Sequence, residues 1–139
     1  MTAVSQTTIA PPEPDLTPEE MLRRAIEMRP VLRERQAECE SLGCLPESTN
    51  SEFVKAGFYR ILQPRRFGGY EFDIPTFVRV MSAVARGCPS SGWVLALTSG
   101  HTHTMSYMSE QAQVEAYASD GEFRAPFTVH PRLMSVEDR

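Results

Sequence analysis

Several things are scarce or missing in this sequence, and each absence excludes a class of protein. No apolar run approaches the roughly 20 residues that a membrane-crossing helix needs, and the N-terminus carries no basic-then-apolar signal region. There is no block of like charge: 14 Lys and Arg stand against 18 Asp and Glu, for a net charge of −4. Proteins that bind a phosphate backbone usually gather Lys and Arg on one face, so neither nucleic acid nor a membrane is an expected partner. The 3 cysteines, Cys39, Cys44 and Cys88, are odd in number and form no C-x-x-C pair. That pattern predicts reduced, buried thiols and a cytoplasmic location. No internal repeat and no Walker or dinucleotide fingerprint is present. What remains is a chain of 139 residues, 41% hydrophobic, long enough for one domain with a sizeable core.

Taken in order, residues 1–15 are rich in Ser, Thr and Pro and read as a disordered leader. Thr17 is a helix N-cap candidate, Pro18 suits the first helical position, and Glu20 stands where a capping-box carboxylate would. Ala25, Met28, Leu32, Cys39 and Leu42 give a helical stripe that Pro30 should kink or break and Gly43 should end. A second helix is expected from near Pro46 to Gly57, with Phe53 and Val54 turned inward. Phe58–Leu62 is a short extended run or a last turn. It leads into a Pro-Arg-Arg-Phe-Gly-Gly loop ending at Tyr70. Asp73 should cap an amphipathic helix carrying Ile74, Phe77, Val78, Met81, Val84 and Ala85, ended by Gly87. After a Cys-Pro-Ser-Ser turn with a serine cap, a helix from about Ser91 to Met105 is apolar on every side, which predicts a place at the centre of the domain. A short helix from Ser109 to about Ala118 follows, then a tail without periodicity. The expectation is an all-α bundle of five or six helices.

The candidates for chemistry are few. His101 and His103 would diverge by about 200° on a helix, so they cannot share a metal ion, and no metal site is expected. His101 lies one turn past Leu97 and extends that face. Thr98, Ser99, Thr102 and Thr104 suggest that the helix emerges there at a polar wall. His101 either looks into a cavity or is hydrogen-bonded in the interior or at the surface. Trp93 is core or a stacking platform, with the apolar helix favouring core. Arg65 and Arg66 either pair with nearby acids or cradle an anion. No residue set here forms a self-sufficient catalytic constellation.

The series from Phe53 to Ala118 resembles the N-terminal helical domain of the acyl-CoA dehydrogenase superfamily. The ordered series itself carries this, and Leu62-Gln63-Pro64-Arg65-Arg66-Phe67-Gly68-Gly69-Tyr70, the Ala85-Arg86-Gly87-Cys88 turn, and Trp93 followed by His101 favour one branch. Within that superfamily it is most similar to the flavin-dependent monooxygenases that serve as oxygenase components of two-component aromatic hydroxylases. The resemblance implies a cofactor of reduced FAD or FMN supplied by a flavin reductase partner, O2 as co-substrate, and a small aromatic substrate. It implies His101 as a catalytic base on the substrate's phenolic oxygen, with His101 and Trp93 as substrate-binding residues. Most of the flavin site is implied to lie outside this chain, in a β-barrel and a C-terminal bundle that would also assemble a homo-tetramer. On this reading residues 16–118 are the helical domain, and residues 119–139 are the truncated start of a β-domain or an irregular tail. The 139-residue stretch is expected to be inactive alone. The alternatives are the N-terminal part of an acyl-CoA dehydrogenase and a non-catalytic helical interaction module.

Overall fold

The computed structural model describes residues 8–117 and 120–125. Helix α1 (Pro18–Glu27) opens as its sequence requires: the Glu20 amide donates to Thr17 Oγ1 at 3.2 Å, with Pro18 in the first turn. The Glu20 carboxylate is held by Arg23 and Arg24, at 2.7 and 3.1 Å. The chain breaks at Met28 into α2 (Arg29–Glu34), which carries Pro30 in its first turn, and breaks again at Arg35 before α3 (Gln36–Leu42). Helix α4 (Glu47–Ala56) runs into a 3-10 turn at Phe58–Arg60. Both α3 and α4 end on left-handed glycines, Gly43 (φ 65°) and Gly57 (φ 81°). Helix α5 (Ile74–Ala85) is capped by Asp73, whose Oδ1 accepts from the Thr76 amide at 2.9 Å. Helices α6 (Pro89–Met105) and α7 (Glu110–Tyr117) complete the set, and Ser109 Oγ accepts from the Ala112 amide at 3.3 Å.

Among the described residues there are therefore seven α-helices, one 3-10 turn and no strand. The number exceeds the expected five or six because the first long stripe splits twice, once near Pro30 and once at Arg35. One isolated parallel bridge joins Ile9 to Phe67. Residues 1–7 of the expected leader lie outside the described residues. Its second half is held in place, by the Ile9 amide on Arg66 O at 2.9 Å and by the Glu13–Arg24 ion pair at 2.7 Å. The short apolar Ile9 and one acid suffice to dock a segment whose composition alone predicts disorder.

Helix α5 lies between α1 and α6, its most extensive neighbours. Met21, Phe53, Phe58, Ile61, Val80, Val84 and Leu95 form the centre of the core. The buried face of α5 carries Thr76, Val80, Met81, Ala83 and Val84, so it is rotated from the expected stripe and leaves Ile74 and Val78 exposed. Val54 also faces outward, while Phe53 is fully buried. Helix α6 begins at Pro89 with Cys88 as N-cap, two residues earlier than expected. Ser91, read from sequence as a cap, is instead buried and donates to Cys39 Sγ at 3.8 Å.

The expectation that α6 sits wholly inside does not hold. It buries Ser91, Gly92, Leu95, Ser99 and Thr102, whereas Trp93 is 68% exposed and Leu97 46%. Small residues form the seam with α5, since a Cβ on Gly92 would fall 2.6 Å from Ala85 Cβ. The two helices thus approach too closely for any larger residue there. Apart from the buried Leu95, the bulky side chains Trp93, Val94 and Leu97 of α6 are left exposed. Its buried hydroxyls are satisfied away from α5: Ser99 donates to Phe58 O of the 3-10 turn at 3.2 Å and Thr102 to Ser99 O one turn back at 2.7 Å.

Residues 120–125 form a strap across the loop that follows the 3-10 turn. Arg60, nearly buried, donates to Gly68 O (3.0 Å) and Asp120 O (3.1 Å) and pairs with Glu122 at 2.7 Å. Gln63 Nε2 donates to Phe67 O and Gly121 O, both at 2.7 Å. The Phe123 ring packs edge-on against Tyr117, which in turn stacks on Phe67. Two buried side chains from the loop region therefore tie down a segment some 60 positions later in the chain. The expected tail beyond Ala125 lies outside the described residues.

Candidate functional site

The outward stripe of α6 follows from helical spacing: Trp93, Leu97 and His101 recur every four residues and share one face. That face forms one wall of an open cavity of about 670 Å³, in the range of small-molecule sites. Asn50 from α4 and Tyr59 from the 3-10 turn also line the cavity. Gly43, Cys44 and Leu45, at and just past the α3 end, line it too, and the strap contributes Arg124 and Ala125. The lining is mostly apolar, with a few polar groups that converge on it.

Both residues singled out from the sequence, Trp93 and His101, line this cavity. Trp93 is not core, as its apolar helix had suggested; it is a largely exposed wall. His101 is partly buried, and its Nδ1 lies 2.6 Å from Ala125 O. A carbonyl oxygen can only accept, so Nδ1 is the protonated nitrogen. In the neutral ring Nε2 then carries the lone pair. His103 diverges from it as the spacing requires, with Nε2 at 3.2 Å from Tyr107 Oη and the two rings edge-on. Among the described residues, no group of three or more His, Cys, Asp or Glu is placed to hold a metal ion. No helix there is long and apolar enough to cross a membrane.

The sequence did not single out Asn50, Tyr59 or Arg124, and the fold brings them together. Tyr59 Oη donates to Asn50 Oδ1 at 2.9 Å, and Arg124 reaches the same oxygen at 3.4 Å while its guanidinium lies 5.2 Å from the Tyr59 ring centre. Burial pushes the Tyr59 phenol up from its usual range, against a smaller opposing pull from Arg124, so it is a neutral hydrogen-bond donor. The three residues come from separate elements and carry no mutual spacing. Only the Phe-Tyr-Arg turn after Gly57 was visible in advance, as a break in helical pattern.

The thiols are only partly as expected: Cys39 and Cys88 are buried, but Cys44, just past the Gly43 helix end, is exposed and lines the cavity. Arg65 and Arg66 make protein contacts. Arg65 donates to Tyr70 O at 3.3 Å, and Arg66 pairs with Glu110 at 3.0 Å while lying over the Phe67 ring. The described residues therefore offer an open cleft, and Arg65 and Arg66 are engaged in contacts within the protein, Arg66 with an acid as one of the two alternatives expected.

Residues 18–120 match the family described as acyl-CoA dehydrogenase, N-terminal domain. A flavin-dependent monooxygenase, oxygenase subunit HsaA, of Rhodococcus jostii (strain RHA1) is 32% identical over 110 residues, covering 79% of this chain and 29% of that protein. The oxygenase component of p-hydroxyphenylacetate 3-hydroxylase of Acinetobacter baumannii is 25% identical over 118 residues, covering 85% of this chain and 28% of that protein. The crystal structure of 3-HSA hydroxylase from Rhodococcus sp. RHA1 superposes with a TM-score of 0.73 at 33% identity, over 76% of this chain and 27% of that one. The chain thus spans less than a third of the length of these relatives.

Proposed function

Because the chain belongs to the acyl-CoA dehydrogenase N-terminal-domain family, we propose that it is the N-terminal part of a flavin-dependent monooxygenase. Its substrate would be a small aromatic compound, hydroxylated with O2 and reduced FAD or FMN that a partner reductase delivers. The similarity to oxygenase subunits and components of such enzymes supports the reaction class. Residues 16–118 would be the helical domain and residues 119–139 the approach to a β-domain. The flavin would be held mainly by residues outside these 139, in a cytoplasmic homo-tetramer.

The observation that carries the reading is the shared cavity of Trp93 and His101, with His101 Nδ1 held against a backbone carbonyl. A ring fixed in this way presents Nε2 as the basic atom without any change of tautomer. A phenol against the Trp93–Leu97 wall would hand its proton to Nε2. The resulting phenolate pushes charge into the ring and makes the carbon beside the oxygen more nucleophilic. The reduced flavin, when bound, supplies the electrons that activate O2. Trp93, Val94 and Leu97 bind and orient the ring and exclude water from its face.

The test is hydroxylation of a phenol by the full-length protein with its reductase, using isotopically labelled O2. One labelled oxygen atom should enter the product. His101→Ala should lower kcat by about 100-fold, the usual size of a general-base effect, and leave flavin affinity unchanged. Undiminished hydroxylation in that variant removes His101 as the base. Reduction of the flavin by an acyl-CoA, without oxygen insertion, would refute the monooxygenase reading.

A further inference from the structure

The cavity has an electrical character that the base alone does not explain. Among the described residues that line it, Arg124 carries the single formal charge. The nearest acid is Glu122, and that carboxylate serves two guanidiniums. Its Oε1 is 2.7 Å from Arg60, whereas its Oε2 is 3.7 Å from Arg124. Arg60 is nearly buried and makes the shorter contact, so the three groups together keep one positive charge. In a chain of net charge −4, this is a local inversion of sign. The guanidinium is also oriented: Asn50 Oδ1 lies 3.4 Å away and the Tyr59 ring lies beneath it. An exposed arginine that only solubilised the surface would need neither support.

Its position is equally specific. Arg124 and Ala125 are consecutive, and the Ala125 carbonyl is the group that faces His101 Nδ1. One short stretch of backbone therefore sets a cation and the imidazole around the same cavity. We propose that Arg124 is a specificity-determining residue that binds a carboxylate substituent of the phenolic substrate while the phenol's hydroxyl faces His101. The substrate class is then an aromatic carboxylate bearing a ring hydroxyl. The planar fork of the guanidinium matches the two oxygens of a carboxylate, which a neutral amide or ester does not reproduce. This inference rests on the cavity being the substrate site, as proposed above.

Binding can be read without catalysis, because Trp93 is the chain's single tryptophan and forms a wall of the cavity. Quenching of its fluorescence is followed as the protein is titrated with para-hydroxybenzoate and, separately, para-hydroxybenzamide. The carboxylate should bind about tenfold more tightly than the amide, a gap typical of one charge-assisted contact. In Arg124→Met the ratio should fall to about one, with amide binding unchanged, and in Arg124→Lys part of the preference should return. Circular dichroism of each variant verifies the fold. Equal binding of the two probes by the unaltered protein, no binding of either, or an unchanged ratio in Arg124→Met would each overturn the proposal. Turnover separates it from the broader reading. A carboxylate that binds through Arg124 but is never oxygenated sinks the monooxygenase assignment and leaves the charge recognition standing. Oxygenation of both probes at equal kcat/KM does the reverse.

Discussion

Replacing Gly121 with alanine should loosen the strap and, with it, one side of the cavity. Gly121 has φ +74°, and a Cβ there would stand 2.2 Å from Phe67 O and 3.0 Å from an Arg60 guanidinium nitrogen. Holding alanine in the left-handed region costs about 1 kcal/mol. Ordinary carbon–oxygen contacts are about 3.3 Å, so the backbone must also retreat by about 1 Å. That movement strips Gly121 O from Gln63 Nε2, now 2.7 Å away, and stretches the Arg60–Glu122 pair. Losing the first and weakening the second brings the total to about 3 kcal/mol. In a chain of this size that corresponds to a fall in Tm of about 10 °C. Gly43→Ala is the control. Its φ is +65° with nothing within 4 Å of the new Cβ, so it carries the backbone cost alone, for a fall of about 4 °C. Thermal unfolding by circular dichroism measures both variants. Hydrogen–deuterium exchange should show faster exchange of the Gly121 and Glu122 amides, now bonded to Tyr117 O and Asp120 Oδ1, in Gly121→Ala alone. If Gly121→Ala lowers Tm no further than Gly43→Ala, and those amides stay protected, the strap is not held as described.

Two further predictions concern stability. Tyr117 Oη is buried without a hydrogen-bond partner among the described residues, so Tyr117→Phe should stabilise the chain by about 1 kcal/mol and raise Tm by about 4 °C; a lower Tm would show that the hydroxyl is satisfied. Burial pushes this phenol up to about 12, so its contribution is full below the ordinary tyrosine value of about 10 and is lost as pH rises from there through about 12. The phenylalanine variant should flatten that alkaline decline, which denaturant titrations at several pH values will measure. At the acid end, hydrogen bonds from Arg23 and then Arg24 hold Glu20 down at about 2. Its stabilisation is present above the ordinary carboxylate value of about 4.3 and is lost as pH falls toward about 2. Glu20→Gln should flatten the dependence of Tm on pH in that window, and an unchanged slope would mean the pair contributes nothing in solution.

Local punctuation was the most legible part of this fold. Thr17, Pro18, Gly43, Gly57, Asp73 and Ser109 act at helix ends because their chemistry is satisfied within one turn of chain, and sequence spacing records that distance. Facing was less legible. Ile74 and Val78 belong to an apolar pattern yet stand outside, because the burying face of α5 is chosen by where α1 and α6 sit. Helix α6 misled for a related reason. Apolar residues on every side suggest burial on every side, but a seam of Gly, Ser and Thr can bury one face while Trp93 and Leu97 line a cleft. Of the candidate site, the alignment of Trp93, Leu97 and His101 was readable from helical period. Asn50, Tyr59 and Arg124 were not, since their meeting depends on Arg60 and Gln63 fastening a strap from far along the chain.

On the proposed reading, the consecutive residues Arg124 and Ala125 would divide their duties by atom type. One works through a side chain, which a point mutation can exchange; the other works through a main-chain carbonyl, which nearly every amino acid would supply. A lineage carrying this strap could therefore exchange the ligand's far substituent, acid for amide or alkyl, by altering position 124 while the imidazole keeps its proton on the same nitrogen. Chemistry and selectivity would drift independently, although barely four ångströms of backbone separate the residues that govern them.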